Sequence, residues 1–341
     1  MTDVAAGSSS LPTRWRAALR TGSPPPGPID PVTRWLVLTR ASVLPMTATA
    51  GAIAGLLAVH HPDANWALFT LAFVGILLAH AANNLMNDLF DSDVGLDTEA
   101  YPRALYAPHP ILSGMISRRG LIVAALIVNL LDLAIGLILV AYRGWVIAAF
   151  ALGGFVLSAA YTAPPLRLKK HGLGELDVAI VWGPLMVGGV YFATTGAISM
   201  LVIVTSIPYA LLCVAVLMGK HIDKIEWDER EGVRTLPVLL GESTSRAFTR
   251  ALLVLFYLGL AFGVGVGALP WPALLALGAL PAAGRPWKAL GYPKPKQAPP
   301  RFPVWPLWFA PLVFLHTRRA GALLVLGLAI AAAAGLEPQG L

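Results

Sequence analysis

Apolar stretches of about 20 residues recur along most of the chain, each closed by a short segment rich in Arg, Lys, Asp, Gly or Pro. A helix of that length crosses the hydrocarbon core of a bilayer. Backbone groups in hydrocarbon have no water to bond, so these stretches must be helical. The pattern predicts spans at 35–59, 66–86, 120–140, 144–162, 174–195, 200–219, 248–269, 270–283 and 321–337. The stretch 303–316, with Trp305, Trp308 and Phe309, reads as a further short or interfacial helix after a proline-marked loop. The ten-residue alternation of a membrane β-barrel is absent. The fold class expected is an all-α, polytopic membrane protein.

Composition agrees. Of 341 residues, 57% are hydrophobic and 13% charged. Soluble domains carry about 25% charged residues, so this chain cannot cover a water-facing surface. The net charge of +7 does not call for nucleic acid, because Lys and Arg gather in loops between spans. Arg14, Arg16, Arg20, Arg34 and Arg40 precede or open the first span, and Arg103, Arg118 and Arg119 follow the second. Arg167, Lys169 and Lys170 follow the fourth; Lys220, Lys224, Arg230, Arg234, Arg246 and Arg250 follow the sixth. The alternate loops hold almost nothing basic beyond Arg143. By the positive-inside rule, the amino terminus and every even-numbered loop face the cytoplasm. Residues 1–33, rich in Ser, Pro, Gly and Arg, read as a disordered cytoplasmic tail without a signal peptide's short apolar core. Residues 34–341 form one transmembrane domain. The single cysteine, Cys213, excludes an internal disulfide framework and zinc clusters and reads as a packing residue.

Three constellations carry chemistry, all at helix ends of the same predicted side. The first closes the second span: His80-Ala-Ala-Asn83-Asn84-Leu-Met-Asn87-Asp88-Leu-Phe-Asp91, then Asp93, Gly95 and Asp97. On a continuous helix, Asn84, Asp88 and Asp91 fall on one stripe. Stacked carboxylates and amides suit Mg²⁺, which takes one or two protein carboxylates and leaves its other positions to phosphate and water. A solvated acidic helix end is the plain alternative. The second follows the sixth span: Lys220-His221-Ile-Asp223-Lys224-Ile-Glu226-Trp-Asp228-Glu229-Arg-Glu-Gly232. The third, Tyr161-Thr-Ala-Pro164-Pro165-Leu-Arg167-Leu-Lys169-Lys170, places cations directly after a proline-broken helix, for phosphate capture or as ordinary loop charge. His80 reads either as a hydrogen-bonded core residue or as an acceptor-positioning, proton-accepting group.

Taken in order, Asn87-Asp88-x-x-Asp91 with Asp97, Tyr161-Thr-Ala-Pro-Pro-Leu-Arg-Leu-Lys and Gly232-Val-Arg-Thr-Leu-Pro-Val-Leu-Leu-Gly241 resemble the UbiA superfamily of intramembrane aromatic prenyltransferases. The first motif, with Gly172-Leu-Gly-Glu and Tyr191-x-x-x-Thr195-Gly196, is similar to the 1,4-dihydroxy-2-naphthoate prenyltransferases of menaquinone synthesis. The likeness runs from about Arg40 to about residue 250. It implies nine helices around a central cavity, Mg²⁺, a prenyl diphosphate and an aromatic acceptor. Asn84, Asp88 and Asp91 would hold one metal with Asp97 as helper, and Asp228 would serve a second. Arg40, Arg103, Arg167 and Lys169 would hold the diphosphate, and Tyr161 would face the reacting carbon.

One departure stands out. Counting back from Gly232, the second motif's ligand positions hold Lys220, Lys224 and Asp228. Asp223 sits one residue early, about 100° round the helix. Either a local unwinding lets Asp223 reach a metal, or Lys224 replaces one cation with its own charge. Two other activities stand as alternatives: a terpene cyclase of the same fold that ionises a prenyl diphosphate with no acceptor, and, of a different class, an ion or solute transporter with relaying intramembrane acids, whose inverted repeats are not seen here.

Overall fold

The computed structural model describes residues 9–25, 27–93, 98–99, 102–300 and 302–338. Seven helices are long and apolar enough to cross a membrane: Trp66–Asp93 (α2), Arg118–Arg143 (α3), Trp145–Thr162 (α4), Gly174–Thr195 (α5), Met200–Ile222 (α6), Glu242–Gly265 (α7) and Phe309–Ala333 (α9). Two shorter elements stand among them: the apolar helix Leu44–Leu57 (α1), and the 3₁₀ run Trp271–Ala279 that continues into Leu280–Ala289 (α8). The protein is an all-helical, polytopic membrane protein.

Burial sorts these helices into an inner and an outer set. α5 and α6 have 61% and 56% of their most apolar windows buried, against 22% and 17% for α3 and α4. The outer helices expose rows such as Leu126, Leu130, Leu133 and Leu137, the side that meets lipid. The inner core joins Ile53, Leu57, Val187, Val190, Tyr209, Leu212, Met218, Phe256, Phe309 and Val313. In α5, Pro184 has no N–H to give, and Val181–Leu185 widens into a π turn.

Several boundaries differ from the hydropathy reading. The expected first span is broken at Thr39–Val43, between Pro31–Leu38 and α1, where Arg40 takes a left-handed backbone with φ 50°. The expected segments 303–316 and 321–337 are joined from Phe309 to Ala333 as one helix. The expected disordered tail is instead helical over Leu11–Thr21. Its Ala18 is fully buried against the cluster that includes Val37, Leu38 and Leu85. Arg14 donates to the Gly27 carbonyl at 3.0 Å and the Trp15 indole donates to Asp30 at 3.1 Å. Asp30 also caps Pro31–Leu38 by accepting from the Thr33 N–H. The Ser, Pro and Gly flanks that lowered the segment's apparent order are the turn and cap residues of a short amphipathic helix.

Candidate active site

Antiparallel alternation brings the carboxyl ends of α2, α4 and α6 to one end of the bundle. There a small cavity of about 30 Å³ opens, lined by Arg40, Arg103, Tyr106 and Tyr161, by Asn87 and Asp91, and by Lys169, Lys220, His221 and Lys224.

α2 runs unbroken to Asp93, so its polar residues keep helical spacing. Asn87 and Asp91, one turn apart, face the cavity. Asp88 lies about 100° round from Asn87. It is fully buried, taking a bidentate pair from Arg103 at 3.0 and 3.1 Å and a close one from Arg40. Asn84 turns away and donates to the Thr39 carbonyl at 3.0 Å. The expected stripe of Asn84, Asp88 and Asp91 is therefore corrected: Asn87 with Asp91 reaches the site, and Asp88 works behind it, holding two arginines in place. Asp97 lies outside the described residues.

The cis Pro164–Pro165 bond and the left-handed Arg167, φ 42°, turn the chain after α4 into a short 3₁₀ segment, Leu168–His171. That turn aims Lys169 inward. Its Nζ donates to Asn87 Oδ1 at 3.0 Å and to the Asp91 oxygens at 2.5 and 2.7 Å, and Thr162 also donates to Asn87. Gly174 makes room, since a Cβ there would lie 3.2 Å from the Tyr161 ring and 3.3 Å from the Lys169 backbone. Arg167, expected on the diphosphate, is half-buried and does not line the cavity.

At the end of α6, Lys220 and Lys224 occupy successive turns on the cavity wall, and Lys224 pairs with the fully buried Asp228 at 3.3 Å. Asp223 goes elsewhere. Its two oxygens accept from the backbone N–H groups of Phe309 and Ala310, each at 2.9 Å, capping α9. Burial pushes the Asp223 carboxyl up to about 7, against the pull of those two donors. Lys294 donates to the Asp223 carbonyl at 2.6 Å and lies over the rings of Trp227 and Trp305. The structure thus places Asp223, expected as a metal ligand, in a helix cap away from the cavity, with no unwinding to carry it inward.

Of the two readings of His80, the structure shows the hydrogen-bonded core residue and not the catalytic one. His80 is hydrogen-bonded to Thr47 at 2.7 Å and meets Trp182 edge-on, and it does not line the cavity. The histidine that does is His221, whose Nδ1 lies 2.8 Å from Glu175 Oε1, both buried. Lys220, with its i, i+4 relation to Lys224, was visible in the chain; the pairing of His221 with Glu175 across 46 residues was not.

The donor set can be tested against a hard cation. Asn87 Oδ1 and the Asp91 carboxylate converge on one positive centre, the Lys169 ammonium. An amide oxygen plus one carboxylate, with remaining positions left to water and phosphate, fits Mg²⁺. The α6 end does not: its acids are a cap and an ion-pair partner, and two ammonium groups stand in the way. No group of three or more His, Cys, Asp or Glu arranged for a metal occurs among the described residues.

Residues 48–310 match the model of the UbiA prenyltransferase family. The chain belongs to that family. This UbiA prenyltransferase is 28% identical to the 2-carboxy-1,4-naphthoquinone phytyltransferase of Synechocystis, over 74% of this chain and 81% of that one. It is also 28% identical to the 1,4-dihydroxy-2-naphthoate octaprenyltransferase of Bacillus subtilis, over 69% and 75%. In fold it matches a UbiA homologue from Aeropyrum pernix with TM-score 0.60 at 18% identity, covering 84% of this chain and 97% of that one. A UbiA homologue from Archaeoglobus fulgidus, solved with GPP and Mg²⁺, matches with TM-score 0.54 at 17% identity, over 85% and 99%.

Proposed function

We propose that this UbiA prenyltransferase moves a prenyl group from a polyprenyl diphosphate to an aromatic, quinone-precursor-like acceptor in the membrane, with Mg²⁺ as cofactor and the site facing the cytoplasm. The observation that carries the reading is the meeting of Arg40, Arg103, Lys169, Lys220 and Lys224 with the Asn87–Asp91 oxygen pair at the mouth of an apolar bundle. The relatives named for naphthoquinone substrates support the acceptor class.

The chemistry follows from charge. The C–O bond of an allylic diphosphate breaks heterolytically, the electron pair leaving with the diphosphate and a cation remaining on carbon. Lys and Arg groups aimed at those oxygens stabilise charge as it develops, in a site where they cost no reorganisation. Mg²⁺, held by Asn87 and Asp91, would supply further charge neutralisation on the diphosphate. The face of Tyr161 on the cavity wall can steady the carbocation through its π system. The acceptor's aromatic carbon attacks, and its ring proton passes to a base. His221, oriented by Glu175, presents its ring to the cavity for that step.

Purified protein in nanodiscs, given prenyl diphosphates of several lengths, dihydroxynaphthoate-type acceptors and Mg²⁺, should release diphosphate and form a prenylated ring. Absence of Mg²⁺-dependent diphosphate release with every combination would overturn the proposal. A hydrocarbon or terpene alcohol formed with no acceptor would replace it with a cyclase, and solute flux without covalent change would replace it with a transporter.

A further inference from the structure

The cavity wall is more cationic than a site built around two divalent metals would need. Five cationic side chains line it. The carboxylates that pair with them are Asp88, with Arg40 and Arg103, Asp91, with Lys169, and Asp228, with Lys224. Within these pairs, among the described residues, the wall's cations outnumber the carboxylates bonded to them. Lys220 makes no hydrogen bond or ion pair among the described residues, although it stands in the wall beside Lys224, one helical turn on. Two further carboxylates are buried nearby among the described residues: Glu175, which is paired with His221, and Asp177.

The α6 end therefore has the charge of a cation without the oxygen ligands to bind one. Asp223 spends both oxygens on the α9 backbone, and Asp228 is turned to Lys224. A divalent ion placed here would face two ammonium groups and one shared carboxylate. An ammonium is a compact point charge with three donors on a flexible stem, so two of them can meet the terminal oxygens of a diphosphate directly.

We propose that Lys220 and Lys224 together take the place of a second metal: one face of the diphosphate is met by a single Mg²⁺ at Asn87–Asp91, the other by these two ammonium groups. The inference rests on the diphosphate reading above and specifies how the charge is divided. It follows that inorganic diphosphate binds this protein appreciably without any divalent ion.

The test uses the full chain in nanodiscs with inorganic diphosphate as probe, by calorimetry in EDTA and again in Mg²⁺, together with Mn²⁺ stoichiometry by electron paramagnetic resonance. The wild type should bind diphosphate in EDTA within tenfold of its affinity in Mg²⁺, and should take up one Mn²⁺ per chain when diphosphate is present. Lys220→Met with Lys224→Met should weaken binding in EDTA at least tenfold, with recovery in the paired Lys→Arg variant. Two Mn²⁺ per chain, or binding in EDTA indifferent to the lysines, would overturn the inference and leave the diphosphate reading standing. No diphosphate binding in either condition would take down both. The Mn²⁺ count needs only the wild type, so a variant that fails to fold does not block the decision.

Discussion

Asp88 and Asp91 sit three residues apart on one helix and have different work. Asp88 compensates two guanidinium groups, the buried one of Arg103 and the partly buried one of Arg40. Removing one partner of a buried ion pair costs about 3–5 kcal/mol, so Asp88→Ala should lose both turnover and a large share of thermal stability in detergent. Asp91→Ala removes a group whose partner, Lys169, still has Asn87 to bond. It should cost turnover about 10²-fold or more while shifting the melting midpoint far less. Equal melting shifts in the two would show that Asp88 is not the structural partner. Glu175→Gln makes the third case. If Glu175 orients His221 as base, kcat should fall about 10²-fold with KM within a few-fold; a change in KM alone would assign the pair to substrate binding. Of these roles, the acidic motif was visible by its spacing, since i, i+4 and i+7 share a face in any helix. Which residue of that face would meet the cavity was not, because Asn87 and Asp88 differ only by rotation, and neighbouring helices fix that rotation.

Between helices, the contact of α6 with α9 sets the position of the lysines. Gly219 lies where a Cβ would come 3.0 Å from the Ala310 nitrogen and 3.1 Å from its Cα. Backbone cannot yield as a side-chain tip can, so Gly219→Ala should destabilise by about 1–3 kcal/mol, read as a lowered unfolding midpoint. Four residues on, Asp223 caps α9 with two hydrogen bonds. Asp223→Ala should cost about 1–2 kcal/mol as a lost helix cap yet keep turnover within a few-fold of wild type. Loss of turnover with unchanged stability would restore a metal role to Asp223. Hydropathy found α6 and α7, but it ended α6 early, placed both ends of α7 too far along the chain and divided α9. The polar residues Lys220, His221 and Thr317, Arg318, Arg319 interrupt an apolar window without breaking a helix. A helix is ended by its hydrogen bonds and caps, not by its polarity.

For the whole molecule, loop charge gives the orientation: the site end, with Lys170 beside it, is expected in the cytoplasm. In a Cys213→Ser background, Lys170→Cys should react with a membrane-impermeant maleimide only in inside-out vesicles, and Trp145→Cys only in right-side-out ones. The reverse pattern would invert the topology. That the chain crosses a membrane as helices, and roughly where, was settled by composition and apolar run length alone. Those are local properties, and a bilayer tests each stretch separately. The site depended on contacts between distant residues: Arg40 with Asp88, 48 apart, Lys169 with Asp91, 78 apart, and Asp223 with Phe309, 86 apart. Each is a choice among several chemically equivalent partners. Only packing, by fixing helix rotation and turn geometry, brings one of them within hydrogen-bond reach.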